Sequence, residues 1–367
     1  MKKLVPSAFA LALTAGLGQA SEDEWSQLDR EVEALTSSLS LADGIGLSGW
    51  LRTNYNYSSD IDVFFDDGGG IDSNDLGGFD VSDARLIWDG SHGDYGFTIQ
   101  YDFAETGDDA LLDAFATFPI GGSITGTVGQ FKAPVLHGAA MSARDTFFPY
   151  KTANSQAWTQ RDQGVMLSGD FDTVGWYIAG QNGTDGQGDE LFLAARVEVT
   201  LMGEGAGMVE GAYGGPDSPS GTIGAAYYDD GEASNSDGFT VDAYFASNTY
   251  SFSGEYVDIG NNTVSRGVGG YGNSSSSSAA NAFSGAGALR DDSNPWSVAG
   301  TYMFTPDEWE GGVRYQDWDD ANDTTVISVG VNRYIDGHDL KYGLHWTTTD
   351  NDGADVDLIT VTLTVGF

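Results

Sequence analysis

Residues able to act as acids, bases, nucleophiles or metal ligands are unevenly supplied in this 367-residue chain. Cysteine is absent, so thiol catalysis, thiolate metal sites and disulfides are excluded together. Four histidines remain, His92, His137, His338 and His345, and none has a spacing from a serine that reads as a nucleophile with its base. Aspartate is too abundant to mark a third member of such a set. The sequence does not read as an enzyme and calls for no cofactor. Metal chemistry has one opening. Asp350-Asn351-Asp352-Gly353 has the Asp-x-Asp spacing of a calcium loop, yet Ile359, Thr360 and Val361 stand where the closing glutamate belongs. Solvated acidic loops are the simpler reading, here as at Asp66-Asp67, Asp229-Asp230 and Asp319-Asp320.

Charge narrows the partners. There are 15 Lys and Arg against 55 Asp and Glu, a net charge of −40. Nucleic acids and anionic headgroups need basic clusters, so neither is the main partner. Disordered acidic chains lack aromatics, whereas this one has 9 Trp, 17 Tyr and 19 Phe. Many exposed acids also suit a salty medium, where screening relieves their repulsion.

The elements that position these residues begin with a leader. Met1-Lys2-Lys3, the apolar run 4–17 and the small-x-small triplet Gly18-Gln19-Ala20 predict a secretory signal peptide over 1–20. Segment 21–42 follows as a periplasmic helix. Trp25, Leu28, Val32, Leu35 and Leu39 form a heptad seam, and Ser21 with Glu24 fits a capping box. Two heptads are marginal alone, so the seam packs either on its own domain or on other protomers.

From Gly46 the period changes to two. In the last strand Ile359, Val361, Leu363, Val365 and Phe367 share one face, and Thr360, Thr362 and Thr364 the other. Such runs predict sixteen strands, from 46–56 through 174–181 and 309–318 to 355–367, in one domain over 46–367. Linkers alternate between tiny turns, such as Gly121-Gly122 and Asp172-Thr173, and the long stretches 57–78, 134–161 and 260–294. That asymmetry is the one of transmembrane barrels. A Gly-rich connection over 203–220 breaks the pattern on the short-turn end.

Sandwiches and propellers also have period-two strands. The polar faces here are too hydrophilic for a dry interior: Thr98, Gln100 and Asp102 on one strand, Glu310, Arg314 and Gln316 on another. Aromatics near strand ends suit interfacial girdles, and the terminal Phe367 suits export through the barrel assembly machinery of a Gram-negative outer membrane. The expected fold class is therefore all-β, an antiparallel transmembrane barrel embedded in outer-membrane lipid. About sixteen strands leave an aqueous channel, which predicts a porin passing small hydrophilic solutes or ions.

Two blocks carry a family resemblance. Gly129-Gln130-Phe131-Lys132-Ala133-Pro134, then a long loop, then Arg161-Asp162-Gln163-Gly164-Val165-Met166, resembles the central block of the phosphate-selective porin O and P family. Ala84-Arg85-Leu86 and Gly49-Trp50-Leu51-Arg52 are weaker echoes. The resemblance implies a homotrimer of sixteen-stranded barrels whose third loop, here 134–161, folds inward as the constriction. On that layout Gln130, Lys132, Arg144, Lys151 and Arg161 belong to the constriction, with Arg85, Asp102, Glu310, Arg314 and Lys341 lining the pore. Members of that family draw anions inward with a ladder of arginines and a lysine cluster. Only 13 basic residues follow residue 20 here, so the charge predicts a channel that is weakly selective or cation-preferring. A phosphate- or anion-selective porin is the alternative. A surface-binding or adhesive protein with acidic loops is the alternative of another class.

Overall fold

A computed structural model describes residues 45–59, 76–105, 110–159, 161–183, 191–229, 237–259, 293–320, 323–351 and 354–367. The leader, the heptad segment and most of 260–294 lie outside the described residues. Sixteen strands run β1 (Ile45–Ser59), β2 (Leu76–His92), β3 (Tyr95–Asp102), β4 (Leu111–Gly121), β5 (Ile124–Lys132), β6 (Arg161–Phe171), β7 (Val174–Gln181) and β8 (Phe192–Met202). They continue as β9 (Ser220–Asp229), β10 (Asp237–Ala246), β11 (Tyr250–Asp258), β12 (Trp296–Thr305), β13 (Trp309–Asp317), β14 (Thr325–Asp336), β15 (Leu340–Asn351) and β16 (Ala354–Gly366). Each pairs antiparallel with its sequence neighbour, and β1 pairs with β16 to close the barrel.

Alternation fixes which face points where. In β16, Ile359, Val361, Leu363 and Val365 are exposed outward while Thr360, Thr362 and Thr364 are buried. A one-residue slip would invert both faces, so the register is strongly determined. The same logic leaves Val313, Val329 and Leu344 on an outer apolar belt, with Glu310, Arg314 and Gln316 buried inside.

The seam is sealed by the last residue. Gly49 N donates to Phe367 O at 3.2 Å, and Phe367 N donates to Gly49 O at 3.0 Å. The Phe367 ring lies over Gly49, where an added Cβ would stand 2.5 Å from Arg85 O and 2.7 Å from the ring. Glycine is therefore required by close approach at this position. Deleting Phe367 removes both bonds and the ring at once. We expect markedly lower heat-resistant folded barrel on semi-native gels; normal yield would assign the seam to the remaining β1–β16 pairs alone.

Part of the interior is filled by a packed loop. Three short helical pieces interrupt the connection between β5 and β6: α1 (His137–Ala140), a 3-10 turn (Ala143–Asp145) and α2 (Ala153–Ala157). Sequence periodicity shows none of them, since one turn of helix has no period. Val135, Leu136, Ala139, Ala157 and Trp158 pack against Phe192, Ala194, Ala226, Tyr228 and Val257 of the wall. An apolar core thus sits inside a barrel whose sequence suggests only a wet lumen.

Candidate functional site

Two segments enter the barrel, one from each end. The first is the β5–β6 loop. Its departure point is set at Gly129, whose φ of +129° suits glycine and whose Cβ, if present, would meet Ala114 O at 2.3 Å. A buried loop carries backbone carbonyls that need donors. The basic residues supply them, and charged donors make the stronger bonds. Arg52 Nη1 donates to Pro149 O at 2.7 Å, and its Nη2 donates to Ala143 O. Lys341 Nζ donates to Arg144 O and Thr146 O, both at 2.7 Å. Arg314 Nη1 donates to Tyr150 O at 2.8 Å, and its guanidinium lies 4.3 Å over the Phe148 ring. Lys132 Nζ donates to Ala139 O at 2.6 Å and Met141 O at 3.1 Å. Lys151, on the loop itself, donates to Gly138 O at 2.5 Å and Met141 O at 2.9 Å.

Acidic and amide groups hold the loop's donors. Glu255 accepts from Thr152 Oγ1, Ser155 Oγ and Tyr244 OH, each at 2.5 Å, and from Ser297 Oγ at 3.3 Å. Ala153 N donates to Gln316 Oε1 at 2.7 Å, and His137 N to Asp242 Oδ2 at 3.2 Å. Burial pushes the Lys151 ammonium down to about 7, against the opposing pull of the Glu210 and Glu255 carboxylates.

Four further arginines among the described residues face carboxylates. Arg85 bridges Asp83 at 2.6 Å and Asp102 at 2.9 Å. Arg161 holds Asp113 through Nε and Nη2 at 3.2 and 3.1 Å. Arg196 forks onto Asp242 with both contacts at 2.8 Å, and its Nη1 also donates to the loop carbonyl Val135 O at 2.9 Å. Arg144 reaches Asp145 and Asp339. Gln130 Nε2 donates to Leu112 O at 2.9 Å, and Gln130 Oε1 accepts from Gln163 Nε2 at 2.9 Å, so it ties β5 to its two neighbours.

Of the residues singled out in the sequence, Lys132, Lys151, Arg314 and Lys341 converge on the loop carbonyls. Arg85, Asp102 and Arg161 form a separate network with Asp83 and Asp113. Sequence reading missed Arg52, Arg196 and Glu255 as anchors; their inward parity on alternating strands was the available signal.

The second segment is the 203–219 connection. Glu310 anchors it, accepting from Ala212 N at 2.6 Å while also accepting from Tyr334 OH at 2.7 Å. Tyr213 stacks on Tyr334 with ring centroids 4.0 Å apart. On the other side Asn248 N donates to Pro216 O at 2.8 Å. Glu310, which sequence parity marks as a pore-lining acid, thus holds a backbone strap.

Among the described residues no group of three or more His, Asp or Glu has a metal-holding arrangement.

No family model and no curated protein matches this sequence. Solved structures do share the fold. The outer membrane channel DcaP of Acinetobacter baumannii is 16% identical with a TM-score of 0.54, over 88% of this chain and 97% of its own. The anion-selective porin from Comamonas acidovorans is 12% identical at 0.57, covering 88% and 99%. A loop-deletion mutant of OmpT, an outer membrane protein of Vibrio cholerae, is 14% identical at 0.55, again covering 88% and 99%. The chain has the architecture of these outer-membrane channels and porins, a closed sixteen-stranded antiparallel barrel.

Proposed function

We propose that the protein is an outer-membrane porin, a passive channel for small hydrophilic solutes or ions that is weakly selective or cation-preferring. The reading of a channel rests on the sixteen-stranded barrel with an apolar outer face, a polar inner face and a loop drawn into the lumen. Its working partners are outer-membrane lipid, the barrel assembly machinery and two further copies in a homotrimer, the last supported by the 21–42 heptad seam.

Selectivity follows from where the bases point. Arg52, Lys132, Lys151, Arg314 and Lys341 donate to loop carbonyls, and Arg85, Arg144, Arg161 and Arg196 face carboxylates. Such bases hold the constriction in place and do not form a free ladder for phosphate. The Comamonas porin of similar fold is anion-selective; this chain, at −40, is read the other way.

Planar-bilayer recording tests the reading. Discrete current steps with a cation-leaning reversal potential in a KCl gradient are expected. A folded but silent barrel would favour the adhesive alternative, and phosphate block relieved by Lys132→Ala would favour the anion-selective one. Acidity adds a second readout. Lys151, brought down to about 7 by burial, loses its positive charge as pH rises through the neutral range. Cation preference should rise over that interval, and Lys151→Met should abolish most of the rise.

A further inference from the structure

The two inward segments meet, and one side chain joins them. Glu210 Oε2 accepts from Phe147 N at 3.0 Å and Phe148 N at 3.2 Å, and Glu210 N donates to Asp145 O at 3.0 Å. Arg314 Nη1 stands 3.9 Å from Glu210 Oε1. A residue of the 203–219 connection therefore holds the tip of a loop that enters from the opposite mouth. The connection itself reaches from Asn248 on one side to Glu310 and Tyr334 on the other. A strap that only linked β8 to β9 would need two residues, as the turn between β6 and β7 does.

Two cavities flank this contact. One is lined by Lys151, Thr152, Ser155 and Glu255 of the loop side. The other is lined by Ala206, Gly207, Val209 and Ser251 of the strap side. Both share Glu210, Tyr244 and Ser253 as a common wall. Glu210 thus lies between a small cavity on the strap side and one on the loop side.

We propose that the 203–219 connection is a second constriction, acting from the short-turn mouth in series with the β5–β6 loop, and that Glu210 is its selectivity-determining residue. The proposal rests on the reading of the barrel as a channel. A solute crossing the lumen would meet two narrow layers, and the charge at their junction would be set by Glu210 and Glu255 against Lys151 and Arg314. A carboxylate there favours small cations over anions. Glu310, Tyr334 and Asn248 are positioning residues for the strap.

The experiment is single-channel recording of the full chain in KCl, with three variants and one control. Replacing 205–215 by a short Gly-Ser turn should raise conductance about twofold or more over a Glu210→Ala control, which releases the loop tip but keeps the strap, since one of two series resistances is removed. Glu210→Gln keeps the shape and can still accept from Phe147 N; it should leave conductance near wild type but lower the cation-to-anion permeability ratio about twofold. The chain has no cysteine, so Val209→Cys gives a single thiol. A charged thiol reagent added from the short-turn side should cut the current by about half, which keeps the proposal testable if the deletion does not assemble. Conductance in the deletion equal to that of the control, or an unblocked Val209→Cys channel, would overturn the second constriction. An unchanged permeability ratio in Glu210→Gln would overturn the role of that carboxylate. A wild-type barrel that carries no current would instead overturn the channel reading beneath both.

Discussion

Replacing Glu255 by Leu will free the C-terminal half of the β5–β6 loop from the barrel wall. This carboxylate is almost fully buried and accepts from three hydroxyls at 2.5 Å, two of them at the start of α2. A hydrogen bond to a charged group contributes about 1.5–3 kcal/mol, and each buried hydroxyl left without an acceptor costs about 1–3 kcal/mol. Three such losses favour local opening by several kcal/mol. The population of released loop should therefore rise at least about a hundredfold, given tenfold per 1.4 kcal/mol. The wall strands keep their own ladders, so global unfolding should move little. Limited proteolysis within 143–158 and a larger single-channel current are the measurements. Glu255→Gln retains one acceptor oxygen and should fall between. Protease resistance equal to wild type would mean that the cationic anchors suffice.

The second large effect lies on the outer face. Val329 sits mid-strand on β14, 44% exposed, between Val313 on β13 and Trp346 on β15. If that belt contacts hydrocarbon, an arginine at Val329 costs about 2–4 kcal/mol, whereas one near the membrane interface costs about 0–1 kcal/mol. Ile335 has the same parity on the same strand, close to its end, and is 57% exposed. Equilibrium unfolding of Val329→Arg and Ile335→Arg in lipid vesicles should show this difference. Two equally tolerated arginines would show that the belt faces water.

Strand positions were largely readable from the chain. Expected bounds such as 174–181 coincide with Val174–Gln181, and 309–318 lies one residue from Trp309–Asp317. Alternation is a local signal, and barrel closure follows from it. The interior was less legible. Lys132, Arg314 and Lys341 look from the sequence like groups facing solute, because their inward parity is visible while their partners are not. A carbonyl 164 residues away, as for Arg314 and Tyr150, leaves no mark in composition or spacing. The 203–219 connection was opaque for a related reason. Its hold on the fold comes from the Ala212 amide meeting Glu310 and from Glu210, and neither produces a hydrophobic period.

The spread of the loop's anchors bears on how the barrel comes together. Arg52 lies on β1, the first strand, and Lys341 on β15, the last but one, and both grip the same short stretch of loop. Those two strands are the flanks between which β16 must pair. A loop bonded to both ties β1 to β15 across β16, so a loop that docks before β16 pairs would act as a template for closure. Loosening the Arg52 and Lys341 grips would then be felt first as slow assembly of the final strand, before any change in what the finished barrel transmits.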